Sequence, residues 1–224
     1  MAEKNHKKKG AAVEVAPEET FIQKNLKTIG IWVAAIIAVI LVVIAFNAYS
    51  EKRNQKAAEA LYPSQELFQQ GNFEKALNGD GQEILGLAQV VKKYGGTKAG
   101  NVAKLYAGLA SVQLGNYEDA EKYLKSFDAK NDEMVSPAAI GALGNVYAQL
   151  GQNDKAVETL KKAAKKADNT VLSPLFLVQA GEILEAEGKV AEALKLYEEV
   201  KDNYRGSLQG QDIEKYIERA KAAK

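Results

Sequence analysis

An all-α fold, with one N-terminal transmembrane helix followed by a solenoid of antiparallel helix pairs, is what this sequence predicts, and three observations carry it. Residues Ile29–Tyr49 form an apolar run without a charge. Beyond it, a Gly followed five residues later by Ala recurs four times, as GNFEKA (Gly71–Ala76), GNYEDA (Gly115–Ala120), GQNDKA (Gly151–Ala156) and GKVAEA (Gly188–Ala193). Each motif lies between stretches of helical apolar spacing, for example Ala138–Leu150 before Gly151 and Asp154–Ala167 after it.

The apolar run is long enough to span. At about 1.5 Å per residue, a helix of this length covers roughly 30 Å, the thickness of a bilayer's hydrocarbon core. Trp32 near one end and Tyr49 at the other suit the interface, and Lys24, Lys27, Lys52 and Arg53 flank the run. A cleaved signal peptide is the rival reading. The run exceeds the usual apolar region of about 7–15 residues, and Ala45 and Ala48 make a poor cleavage site, so an anchor is expected. Gly30, Ala34 and Ala38 share one helix face, a spacing that permits close helix approach but also arises by chance in Ala-rich spans.

Lys4, Lys7, Lys8, Lys9, Lys24 and Lys27 precede the run, against Lys52, Arg53 and Lys56 just after it. That bias predicts a cytosolic tail and residues 50–224 across the membrane, a type II topology. Residues 1–28 read as a disordered basic tail, too poor in large apolar side chains to fold. Within it, Lys7–Lys9 could touch anionic lipid or RNA, and a topology signal is the favoured reading. Residues 50–60, rich in helix formers, read as a helical stalk. Residues 61–206 then form the repeat domain and 207–224 a C-terminal capping helix.

Within the repeats, the turn Gly ends one helix where positive φ is cheap, and the small Ala lets the next helix pack closely. The last three turn glycines are 36 and 37 residues apart. Gly108, Gly144 and Gly181 each precede the turn by seven residues, a register that predicts close helix crossings. Ser136-Pro137 and Ser173-Pro174 read as an N-cap Ser followed by Pro at the first helical position. The first repeat is degenerate, with Pro63 and Ser64 in place of the usual Leu and Gly. It is followed by a diverged or extended second helix in Asn78–Thr97.

The pattern Leu143, Gly144, Tyr147, Gly151 and Ala156, with Leu160 and Ala163 after it, resembles the tetratricopeptide consensus. The Gly188 repeat keeps Gly181, Ala193 and Tyr197, and the Gly115 repeat keeps Gly108, Ala120 and Leu124. The resemblance covers about residues 57–206 and implies a helical solenoid that binds proteins. A basic tail, one span and a repeat domain beyond the membrane, closed by Asp202–Ser207 and a final helix Asp212–Ala223, resemble the YfgM-like ancillary subunits of the bacterial Sec translocon, a resemblance that implies a single-pass bacterial inner-membrane protein with its C-terminal domain in the periplasm.

The family's ligand-binding face is formed by the first helices of the repeats. Carrying that register over gives a protein-binding groove of Leu61, Gln65 and Phe68, then Leu105, Leu109, Val112 and Gln113, then Asn145 and Gln149, and finally Leu175, Val178 and Glu182. Leu105 and Leu109 stand where clamp-type members carry cations, so recognition of acidic tails is not expected. An apolar row suits unfolded or nascent chains, or a partner's helix. Leu105, Leu109 and Val112 read equally well as core packed against the first repeat.

Composition excludes several alternatives. The chain has no Cys and one His, His6, so no thiolate site, His-based triad or multi-His metal site is expected. Of 30 basic and 29 acidic residues, 24 and 25 lie in residues 51–224, a near-neutral balance that argues against nucleic acid. The lysines Lys161, Lys162, Lys165 and Lys166, and the pair Glu198-Glu199, read as solvated faces. The expectation is therefore a non-enzyme with no cofactor, no metal and no small-molecule substrate. Its partners would be proteins: translocon subunits, periplasmic chaperones or unfolded chains. Two roles remain open: an accessory of Sec-dependent export that holds chaperones or emerging chains at the translocon, and an inner-membrane scaffold for cell-wall or outer-membrane assembly proteins.

Overall fold

A computed structural model describes residues 21–222, and every regular element among them is helical. The basic tail, with the Lys7–Lys9 cluster and His6, lies outside the described residues as far as residue 20. Two compact units divide at residues 49 and 50. The first carries the apolar part of α1 (Phe21–Gln69), which is long and apolar enough to cross a membrane, with a mean hydropathy of 3.1 over its most apolar stretch. Its large side chains, such as Trp32, Ile40 and Leu41, are exposed rather than packed into a core.

The second unit is the solenoid. After α1 come α2 (Phe73–Asn78), α3 (Leu87–Tyr94), α4 (Lys98–Gln113), α5 (Tyr117–Ser126) and α6 (Val135–Gln149). They continue as α7 (Asn153–Ala167), α8 (Leu172–Ala186), α9 (Val190–Asn203) and α10 (Leu208–Ala222). The antiparallel pairs are α4 with α5, α6 with α7, and α8 with α9.

Each pair turns in the same way. Gly71, Gly115, Gly151 and Gly188 have φ of 78°, 75°, 69° and 74°, a conformation that costs any residue with a Cβ. The N–H of the next residue reaches back to a carbonyl five residues earlier, as in Gln152 to Tyr147 at 2.8 Å and Lys189 to Leu184 at 2.8 Å. These bonds satisfy carbonyls that a helix end would otherwise leave open. Ala76, Ala120, Ala156 and Ala193 are all fully buried, because the second helix comes back against the first at that point.

Among the described residues, three side-chain clusters make the core. One, under α1–α4, contains Leu61, Leu77, Leu87 and Val90. A small central one holds Ala120, Leu124 and Val146. The largest runs from α7 to α10 through Leu160, Phe176, Tyr197, Ile213 and Ile217.

Local structure departs from the sequence reading at four places. Residues 21–28, expected within the disordered tail, are the first turns of α1, because the helix of the apolar run continues upstream through Lys24 and Lys27. Ser136 and Ser173 are not N-caps, because α6 and α8 start one residue earlier and both hydroxyls are buried. The capping acceptors lie upstream. Asp132 Oδ1 takes the N–H groups of Met134 (3.1 Å) and Ser136 (2.9 Å), and Asn169 Oδ1 takes those of Val171 (3.0 Å) and Leu172 (2.8 Å). Pro137 and Pro174 still fall in the first turn, where an absent N–H costs nothing.

The second helix of the first repeat is not extended but split. Asp80 Oδ1 accepts from the backbone N–H of Gln82, Glu83 and Ile84, forming a loop between α2 and α3. Finally, residues 53–57, where a stalk is expected, are already engaged. Arg53 Nη2 donates to Lys93 O at 3.0 Å, Asn54 Oδ1 accepts from Ala99 N at 2.9 Å, and Ala57 is fully buried.

Candidate protein-binding groove

The first two repeats and the start of α6 border an open cavity of about 990 Å³ between the end of α1, the α3–α4 turn, α4 and the α5–α6 loop. Its walls are mostly apolar, and its size suits an inserted group of side chains rather than a single ion. Four residues of the expected groove meet here: Gln65, Phe68, Leu105 and Leu109.

The near wall is rigid for identifiable reasons. Phe68 packs edge-on against Phe73 (5.2 Å between centroids) and Tyr106 (5.1 Å), and Gln65 Nε2 donates to Tyr106 Oη at 2.8 Å. Those contacts fix the aromatic rings and satisfy the only polar atom Tyr106 brings to the wall. Along α4, Val102, Leu105, Tyr106 and Leu109 fall at helical spacing and share one face. Phe127 and Val135 close the far side from the loop and from the first turn of α6.

Sequence reasoning missed Val102, Tyr106, Phe127 and Val135. The α4 stripe was a readable signal for the first two. Phe127 and Val135 belong to an irregular segment, where no periodicity announces a wall.

The rest of the expected row does not share this cavity. Leu61 and Val178 are only 5% and 4% exposed and belong to the N-terminal and C-terminal core clusters. Val112 and Leu175 are half-buried against the central and C-terminal clusters. Gln113, Asn145, Gln149 and Glu182 are exposed. Glu182 lies 3.9 Å from the Arg219 guanidinium.

Charge is confined to the rim. The Lys130 ammonium bonds the Asp128 carboxylate, which holds that carboxyl below its ordinary range, with Lys104 acting the same way at longer distance. Asp132 is likewise held low, first by the Ser136 hydroxyl and then by the Ser136 N–H. Both carboxylates are therefore ionised at neutral pH, and both are already committed to partners within the chain. Lys161, Lys162 and Lys165 line a separate cavity of about 730 Å³, where Glu158, Asp168 and Glu199 balance them. Among the described residues no group of three or more His, Asp or Glu side chains could hold a metal ion.

Comparison with known proteins agrees with this architecture. Residues 20–216 match the tetratricopeptide repeat-like domain family. A protein of Aggregatibacter actinomycetemcomitans described as an ancillary SecYEG translocon subunit is 30% identical over 175 residues, spanning 77% of this chain and 80% of that one. Among solved structures, the TPR-like repeats of a Podosopora anserina putative kinesin light chain superpose with a TM-score of 0.59 at 18% identity, covering 76% of this chain and 87% of theirs. A point variant of the same repeats superposes with a TM-score of 0.58. At that identity the likeness concerns the fold alone.

Proposed function

The chain belongs to the tetratricopeptide repeat-like domain family, and from that premise we propose that it is an anchored accessory of Sec-dependent export whose groove holds an apolar segment of a protein at the periplasmic side of the translocon. Residues 29–49 would be the anchor, and residues 50–224 would lie in the periplasm. The occupant would be a chaperone or an emerging chain.

The observation that carries this reading is the wall of Phe68, Leu105, Tyr106 and Leu109 in the cavity of about 990 Å³. Large side chains left half-open to water gain by accepting apolar partners, roughly 25 cal/mol per Å² covered. The relative described as an ancillary translocon subunit supports the setting. Half-buried leucines in place of clamp cations favour unfolded or helical segments over acidic tails. The family's fold works by binding, and the hydroxyl–carboxylate pair in the groove wall, Ser136 with Asp132, is engaged in holding the first turn of α6.

Purification of the anchored chain in mild detergent tests the proposal. Channel subunits and periplasmic chaperones should accompany it. Cell-wall or outer-membrane assembly factors in their place would assign the chain to an envelope scaffold.

A further inference from the structure

We propose that Lys52, Arg53 and Lys56 of α1, together with Lys92, Lys93 and Lys98 around the α3–α4 turn, form a basic collar that binds anionic phospholipid headgroups and holds the repeat domain down on the membrane surface. The inference rests on α1 crossing the membrane; Gly96 and Lys98 also line the groove, so its test is run with no groove ligand present.

Two hydrogen bonds assemble the collar. Arg53 Nη2 donates to Lys93 O at 3.0 Å, and Asn54 Oδ1 accepts from Ala99 N at 2.9 Å, so the end of α3 and the start of α4 are pinned to α1 just past its apolar run. Covalent geometry then limits where this cluster can go. Arg53 follows Tyr49, the last residue of the apolar run, by four positions, and four residues reach at most about 14 Å even fully extended. The chain therefore leaves the pinned turn within reach of the headgroup layer, and lipid charge decides whether it rests there.

The charge is suited to that location. Residues 51–60 and 92–99 carry six basic and two acidic side chains, a net +4, whereas residues 51–224 as a whole carry 24 and 25, a net −1. The remainder of the domain is thus −5, so the positive charge is concentrated beside the span. Among the described residues, none of the six collar cations forms an ion pair, although ten such pairs occur elsewhere in the domain. Lys93 has only the Tyr94 ring beneath its ammonium, 5.3 Å away. Lys52, Lys56, Lys92, Lys93 and Lys98 are all exposed. Unneutralised cations within a Debye length of a bilayer are attracted by anionic lipid and little affected by neutral lipid. The lysines of α7 make the contrast, since Glu158, Asp168 and Glu199 lie among them.

The test uses the full chain carrying Gly96→Cys. The native sequence has no Cys, and a side chain at Gly96 meets nothing within 4 Å. A fluorophore there is read against a nitroxide on lipid headgroups, in vesicles of phosphatidylcholine alone or with phosphatidylglycerol added. Quenching should be at least twofold greater in the anionic vesicles and fall to the neutral value at half-molar salt. Lys92→Gln/Lys93→Gln/Lys98→Gln should abolish the difference. Lys161→Gln/Lys162→Gln/Lys165→Gln, which removes the same charge from α7, should preserve it.

Equal quenching in both lipids, or equal loss in both triple variants, overturns the collar. If quenching is flat but the collar triple loses a co-purifying membrane protein, the cations read a protein and the lipid proposal is overturned. A chain that fails to float with vesicles at alkaline pH overturns the span itself, a distinguishable failure.

Discussion

A Cβ on Gly144 would stand 2.8 Å from Leu160 Cγ and 3.2 Å from Leu160 N, so the two helices of that repeat touch where only hydrogen fits. The relationship repeats along the solenoid. Gly108 would meet Leu124 Cγ at 2.6 Å, and a Cβ on Gly181 would run into the Tyr197 ring. A Gly inside a helix costs about 1 kcal/mol relative to Ala, and here the cost is offset by the approach it permits. In the first repeat the same register holds Ser64, fully buried, whose hydroxyl donates to Leu85 O.

Gly144→Leu should therefore overpack the pair and destabilise the domain by about 1–3 kcal/mol. Denaturant unfolding of the variant beside the parent checks this. An unchanged midpoint would mean that the crossing is looser than the Gly144–Leu160 distance requires.

The C-terminal helix is fastened by Glu185. Its carboxylate accepts from Arg219 Nε at 2.9 Å, from Arg219 Nη2 at 2.8 Å and from the Tyr197 hydroxyl at 3.0 Å. The Arg219 bonds, and then the Tyr197 bond, hold the Glu185 carboxyl below its ordinary value of 4.5. A carboxyl depressed in the folded state stabilises fully above its unfolded pKa and loses that contribution as pH falls through the folded pKa. Glu185→Gln should cost about 1 kcal/mol at neutral pH, a charged hydrogen bond discounted for the half-exposed Arg219. Below about pH 4.5 the difference from the parent should shrink, as unfolding curves at several pH values would show. A difference that grew on acidification would contradict the latch.

How much of this was readable in advance depended on whether the signal was local. The positive φ at Gly71, Gly115, Gly151 and Gly188 was readable because a single backbone conformation demands Gly. So was the tight crossing at Gly144. The Ser136 and Ser173 caps were misread because one helical residue more or less leaves the Ser-Pro pair equally at home in the first turn. The split of the first repeat depends on Asp80 bonding three N–H groups of its own loop, which no apolar period reveals. A second joint likewise carries no apolar period. Thr97 and Ser207 each bond a preceding Tyr carbonyl, Tyr94 and Tyr204, and each hydroxyl accepts from a Gly three residues on, Gly100 and Gly210. The α3–α4 and α9–α10 turns are therefore one motif, YGGT and YRGS in sequence. The groove was half-visible, since α4 contributes a stripe, while Phe127 and Val135 come from a connection that only the folded chain brings to the wall.

Orientation gives a further prediction. The excess of Lys before the span implies that protease added to spheroplasts should digest residues 50–224 and spare the tail. Protection of the repeat domain would place it in the cytosol and remove periplasmic proteins from its range of partners.

Binding should depend on the apolar wall rather than on charge. Leu109 lines the cavity beside Leu105 and Phe68 and is half-buried, so it can change without emptying the core clusters, to which it does not belong. Burial of a Leu side chain is worth roughly 1.5–3 kcal/mol, whereas an exposed ion pair gives about 0–1. Leu109→Asn should then weaken a bound segment about tenfold or more, since 1.4 kcal/mol is a decade in affinity. Half-molar salt should change it little, because apolar contacts are not screened. Circular dichroism first establishes that the variant keeps its helices, and titration of the co-purified partner then measures the loss. Val178→Asn is the informative contrast, because Val178 is 4% exposed within the core and its substitution should lower stability before it touches binding. A folded Leu109→Asn chain that binds at full strength, or a parent complex that dissociates in salt, would move recognition from the cavity to its Lys98, Lys104 and Lys130 rim.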